Sequence, residues 1–194
     1  MPVSLMKIIV SVFFILFSTP WLLAQNGSGF SSNNEKKVGM MQQALNGEFL
    51  LPFRMINLDA DDIDFAEFYG KTVVINVWST WSKPAVNLIH SFDSISKTLA
   101  NDSLVFIKIS VDHNLDDWFT YSDTLPLSNN HYWVGDSYRN SIMWFTLESV
   151  ELSQTENIIV SNLPKFVIIR PDGSIKNNNA SAPNLPDFVV EVLE

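Results

Sequence analysis

Residues 70–85 read GKTVVINVWSTWSKPA, and the fold follows from how this stretch is divided. Thr72 to Trp78 is β-branched and apolar apart from Asn76, the composition of a strand covered on both faces. Ser79, Thr80 and Trp81 then form a turn. Pro84 stands where a helix begins, in the first turn, where a missing N–H costs least. From Pro84 to Leu99 the residues Val86, Leu88, Ile89, Phe92, Ile95 and Leu99 recur at helical spacing and define one buried face. Asn101-Asp102 breaks the helix. Leu104 to Val111 is the next apolar strand and ends at Asp112. A strand, a helix and a strand in about 40 residues make a βαβ unit, with parallel strands and a right-handed crossover.

Working outward, Asn114 to Tyr121 has a second helical pattern, with Leu115, Trp118 and Phe119 facing in. Residues 124–161 give no single reading. TLPLSNNHYWVGDSYRN is loop-like, and IMWFTLESVEL suits helix or strand. Phe166 to Arg170 is a strand, Pro171-Asp172-Gly173 a tight turn, and Ser174-Ile175-Lys176 the start of a return strand. After a polar loop at 177–182, Leu185, Phe188, Val189, Val192 and Leu193 mark a terminal helix. Upstream, Phe49 to Leu58 is an apolar strand broken by Pro52, which places it at a sheet edge. Asp59 to Asp64 reads as an acidic loop. Residues 36–45 suit a short helix, and the Gly/Ser/Asn-rich stretch 25–35 a flexible linker.

Composition removes whole classes of function. The chain has 194 residues, a formal net charge of −9 and no cysteine. No basic cluster exceeds Lys36-Lys37, so the electrostatic footprint of a nucleic-acid binder is missing and no nucleic-acid partner is expected. Without cysteine there is no disulfide, no thiolate metal site and no cysteine redox cycle. No glycine pattern for cradling phosphates occurs, which argues against a nucleotide cofactor. Asp59, Asp61, Asp62 and Asp64 lack the glycine and glutamate offsets of a calcium loop, so neither metal nor cofactor is expected there. Lys7, the apolar run Ile8 to Leu23 and the sequence Leu22-Leu23-Ala24 have the order of a secretory signal. The expected organisation is a signal peptide at 1–24, a linker and extension at 25–48, and one domain at 49–194. Export to a bacterial periplasm follows, or an inner-membrane anchor if the leader is retained.

The run from Gly70 to Trp81 resembles the signature of TlpA-like thioredoxins, the exported bacterial thioredoxin and redoxin family. The run from Leu163 through Pro164, Phe166, Asp172 and Gly173 to Ile175 is similar to the family's second signature segment, and Asp112 matches its habit at a strand end. The resemblance implies a thioredoxin-like α/β fold, a central mixed β-sheet flanked by helices on both faces. It further implies a cis peptide bond before Pro164, facing the Ser82 turn and shaping a groove for an extended backbone. Trp81 is then exposed on the recognition face.

The departure lies in the motif itself. Ser82, Lys83, Pro84 and Ala85 occupy the positions where the family carries its thiols, and Ser82 and Ala85 replace both cysteines. Thiol–disulfide exchange needs a thiolate nucleophile and a resolving thiol. A serine hydroxyl does not attack disulfides at neutral pH, so a self-contained redox enzyme is excluded. A hydrolytic Ser82 needs a histidine base within hydrogen-bond reach. His90 lies about 12 Å along the helix from Ser82, leaving His113 and His131; the simpler role for Ser82 is a helix N-cap. Tyr132-Trp133 is either part of a binding surface or a cover over the core. The reading is a redox-inactive domain that keeps the family groove, lined by Trp81, Ser82, Lys83, Pro84, Leu163 and Pro164, and binds a polypeptide or protein partner in the bacterial envelope. The alternatives are an oxidoreductase of the family that works only with a partner's thiols or through unrecognised chemistry, and a purely structural domain.

Overall fold

The structure is a computed structural model that describes residues 45–125, 130–137, 140–153 and 156–194. The expected leader, the linker and all but the last residue of the helix expected at 36–45 lie outside the described residues. The elements run β1 (Arg54–Asn57), β2 (Asp62–Asp64), a 3-10 turn (Phe65–Phe68), β3 (Thr72–Trp78), α1 (Lys83–Leu99), β4 (Leu104–Ser110), α2 (Leu115–Asp123), β5 (His131–Trp133), α3 (Ile142–Phe145), β6 (Leu147–Ser153), β7 (Glu156–Ser161), β8 (Lys165–Ile169), β9 (Ile175–Asn177) and α4 (Pro186–Leu193).

Seven strands form one mixed sheet in the order β2-β1-β5-β4-β3-β8-β9. β3, β4 and β5 are parallel, from Thr72↔Leu104 to Trp78↔Ser110 and from Lys108↔His131 to Ser110↔Trp133. β8 joins β3 antiparallel, Val77 opposite Lys165. The expected βαβ unit is therefore present, with the ends of β3 and β4 side by side. Alternation along β3 sends Val74, Asn76 and Trp78 to one face and Val73, Ile75 and Val77 to the other, all buried.

The first face is covered by α1 and α4, where Phe92 and Phe188 meet Phe106, Phe166, Ile168 and Val74. Phe92 lies 5.5 Å edge-on to Phe106 and 5.9 Å from Phe166, within the range favoured by aromatic pairs. On the second face the 3-10 turn brings Phe68 to 5.9 Å from Tyr132. That turn starts at Asp64, whose carboxylate caps it while Glu67 reaches back to the Asp64 amide, a capping box.

Three expectations change. Only Arg54–Asn57 of the Phe49–Leu58 run is a strand, and it is not at the edge, because β2 pairs outside it. The acidic stretch is correspondingly part strand: Asn57 accepts hydrogen bonds from the Asp59 and Asp61 amides to make the turn, and Arg54 offsets the charge of Asp62 at 2.8 Å. The loop-like stretch around residue 131 holds β5, three residues too short to show alternation. The run IMWFTLESVEL is both things it allowed, helix at α3 and strand from Leu147. β6 and β7 form a separate antiparallel hairpin and a distinct compact unit, paired from Leu147↔Ser161 to Ser153↔Glu156. Asn162 donates to the Glu148 carboxylate across its open end.

The two edges of the sheet are finished differently. Along β9, Gly47 donates to Ile175 O at 2.8 Å, Ile175 donates to Glu48 O, and Phe49 bridges Ser174. At the other edge β2 is three residues long and carries Asp62 and Asp64.

Candidate functional site

The site lies where β3 gives way to α1. The turn between them is held by Asp112 at the end of the neighbouring strand β4. Its carboxylate accepts from the Ser79 hydroxyl at 2.5 Å, the Thr80 hydroxyl at 2.8 Å, the Ser110 hydroxyl at 2.7 Å and the Thr80 amide at 3.0 Å. Asp112 is 2 % exposed and Ser79 is fully buried. The Asp112 carbonyl accepts from the Trp133 indole at 2.8 Å, and the Val111 amide donates to Trp78 O at 2.9 Å. A buried carboxylate that accepts this many donors is well compensated for its lost hydration. The turn is thereby fixed to two parallel strands.

From this anchor the motif positions separate by exposure. Trp81 is 45 % exposed. Lys83 and Pro84 face solvent, whereas Ser82 and Ala85 are buried. Ser82 stands at the N-cap position of α1, but its side chain makes no cap hydrogen bond. Its hydroxyl instead donates to Leu163 O at 3.3 Å, with the Leu163–Pro164 peptide bond cis. The expected facing of Ser82 and the Leu163-Pro164 segment is therefore present, while the expected side-chain capping by Ser82 is not. The helix start is stabilised by Pro84 in its first turn and by the Val86 amide donating to Ser82 O.

No histidine completes a hydrolytic pair at Ser82. His113 is exposed and its Nδ1 lies 2.9 Å from Asp136. His90 is exposed on α1. His131 is buried in the middle of the sheet, where burial first and the Lys108 charge second push its pKa down to about 2. Among the described residues no three His, Asp or Glu side chains are grouped to hold a metal ion. Nor is any helix among them long and apolar enough to cross a membrane. The Tyr132-Trp133 pair belongs to the sheet: Tyr132 is buried and Trp133 is tied to Asp112, so the core-cover alternative holds. The sequence singled out Asp112 but not Ser79, Thr80 or Ser110; a serine or threonine at each strand end beside a lone aspartate was the available signal.

A parallel βαβ unit that ends in an exposed tryptophan at a helix N-terminus, facing a cis X-Pro segment, defines a thioredoxin-like domain. A family model described as thioredoxin-like matches residues 70–175, and the chain belongs to that family. No curated protein matches the sequence significantly. Among solved structures, the chain is similar to a proposed thiol-disulfide oxidoreductase of Bacteroides vulgatus, at 21% identity, TM-score 0.63 and coverage of 76% of this chain and 94% of that one. It is similar to a thiol:disulfide interchange protein of the thioredoxin family from Chlorobium tepidum, at 18% identity, TM-score 0.55 and coverage of 76% and 94%. A pneumococcal exposed lipoprotein thioredoxin of Streptococcus pneumoniae aligns at 16% identity, TM-score 0.50 and coverage of 64% and 85%. At these identities the likeness is one of fold. The chemistry differs: with no cysteine anywhere in the chain, this domain is not a classical thiol redox enzyme.

Proposed function

We propose that this protein is an exported, redox-inactive TlpA-like member of the family, whose former active-site end binds an extended segment of a protein partner in the bacterial envelope. One observation carries the reading. Trp81 stays nearly half exposed on a turn that Asp112 holds rigid, although the thiols such a turn would present are gone. An aromatic side chain held on a fixed turn loses little entropy on binding and makes a good anchor. Ser82, Lys83, Pro84, Leu163 and Pro164 are the residues this reading assigns to its groove. The exposed lipoprotein among its structural relatives is consistent with a place outside the cytosol.

The test is capture of partners from a native envelope fraction, with wild type set against Trp81→Ala, whose fold is checked by circular dichroism. A partner retained by wild type and lost by the variant supports the reading. Equal capture by both sinks it and moves the function to another surface. Reduction of a model disulfide by dithiothreitol should proceed at the blank rate with wild type. A rate above blank would favour an enzyme working through chemistry other than its own thiols.

A further inference from the structure

The middle of the sheet contains a polar row that the site at its end does not use. Register aligns Asn76 of β3 with Lys108 of β4, and Lys108 with His131 of β5, so the three side chains emerge side by side on the face covered by α1. Their exposures are 0%, 1% and 0%. Lys108 is ion-paired to Asp93 of α1. Its neighbours have no comparable arrangement. Neither amide atom of Asn76 and neither ring nitrogen of His131 has a protein partner, nor has the indole N–H of Trp78, which follows Asn76 on the same face.

These groups share one region. The Trp78 ring stands edge-on to His131 at 6.3 Å and meets Tyr121 of α2 at 6.0 Å. The side of α2 that carries Tyr121 also carries Trp118 and Ser122, one turn apart. The Trp118 indole nitrogen and the Ser122 hydroxyl are likewise buried without a protein partner. A buried polar group left without any partner costs about 1–3 kcal/mol. Summed over this set, the cost rivals the whole net stability of a domain, about 5–15 kcal/mol. A partner other than protein would remove that cost.

Their chemistry narrows what that is. The indole N–H groups and the Asn76 amino group are obligate donors. The Asn76 carbonyl and one nitrogen of a neutral imidazole are acceptors. An anion would be repelled by the acceptors, and a cation by the donors and by Lys108. A small neutral molecule that both donates and accepts suits all of them. We propose that the layer between the sheet and helices α1 and α2, around Asn76, Trp78 and His131, is an internal site for ordered water. At about three hydrogen bonds per buried water, it takes about two or three molecules. The site is independent of any partner bound at Trp81.

Two measurements on the purified full chain test this. The first is water-to-protein cross-relaxation in a protein labelled with nitrogen-15 at tryptophan. The indole protons of Trp78 and Trp118 should show cross-relaxation of the sign given by long-lived water; its absence from both overturns the proposal. The second is oxygen-17 magnetic relaxation dispersion of wild type against Asn76→Leu and His131→Phe. Each variant should lose the amplitude of at least one long-lived water while its urea midpoint stays level or rises. Unchanged amplitude in folded variants overturns the proposal. If neither variant folds, the tryptophan experiment on wild type decides.

Discussion

At the end of β3, Ser79 and Thr80 direct their polar atoms at one carboxylate, and Asp112 satisfies them within the protein. Midway along the same strand, the Asn76 side chain is equally buried and makes no hydrogen bond to protein. The two places are three residues apart and have opposite solutions. The turn is a closed protein network, rigid and complete. The middle of the sheet is a polar layer in which Lys108 pairs with Asp93 while the Asn76 amide and the His131 ring do not pair. The contrast teaches that the geometry of the old active site rests on Asp112 and not on the row beneath it. Loss of the thiols therefore left the shape of the turn standing.

Five variants, one of them double, probe that contrast. The largest effect is expected at the buried ion pair. Lys108→Met leaves Asp93 with a buried charge and should cost about 3–5 kcal/mol, measured by urea unfolding. The double variant Lys108→Met, Asp93→Leu should recover most of the loss, since removing both charges is often neutral. Equal midpoints for single and double variants would mean that the pair is not isolated from other partners.

Next comes Asp112→Ala, which strands the buried Ser79 and Ser110 hydroxyls. A loss of about 2–3 kcal/mol is expected, with faster amide exchange at Thr80. A stable variant with an unchanged Thr80 amide would show that the turn has another anchor.

His131 supplies a pH signature. Facing it are Lys108 on β4, itself paired to Asp93 on α1, and Trp78 on β3, which touches Tyr121 on α2. Its folded pKa is depressed to about 2, from an ordinary 6.5. Below pH 6.5 the unfolded chain therefore takes up a proton that the folded chain refuses, and stability falls as pH falls. Between pH 6.5 and pH 5 this one residue should remove about 2 kcal/mol. His131→Phe should flatten that part of the urea midpoint profile; the same slope in both proteins would place the acid sensitivity elsewhere. The smallest effect is expected at Trp81→Ala, within about 0.5 kcal/mol of wild type as for most surface changes. A larger loss would make Trp81 a packing residue and weaken its role as a binding anchor.

Much of this was legible from residues alone. The strand Thr72–Trp78 was placed with its observed bounds, because a run of β-branched residues between Gly70-Lys71 and a polar turn allows few other readings. The α1 face was given by its spacing, and β8 and its turn by Pro171-Asp172-Gly173. At the site, the exposure of Trp81 and a cis bond before Pro164 in a segment that meets the Ser82 turn were expected and are found. What stayed hidden depends on distant neighbours. β5 is three residues long, and only its pairing with Lys108 and Ser110 makes it a strand. His131 and Asn76 lie far apart in sequence, so their shared row emerges only from the register. The Ser82 side chain makes no cap hydrogen bond and instead donates to the Leu163 carbonyl, which arrives from a segment far along the chain.

The finished edges of the sheet limit how a partner can approach. Many proteins recruit an extended peptide by letting it pair as an extra strand. Here the start of β9 is already covered, with both outer hydrogen bonds of Ile175 taken by residues 47 and 48, and β2 offers only three residues, rimmed by the Asp62 and Asp64 carboxylates that pair with Arg54. Recruitment by strand addition would have to peel away the domain's own backbone or cross a charged rim. On the proposed reading, a polypeptide would instead meet the ends of the parallel strands, where Trp81 stands, and the same covering of β9 guards against edge-to-edge pairing of this sheet.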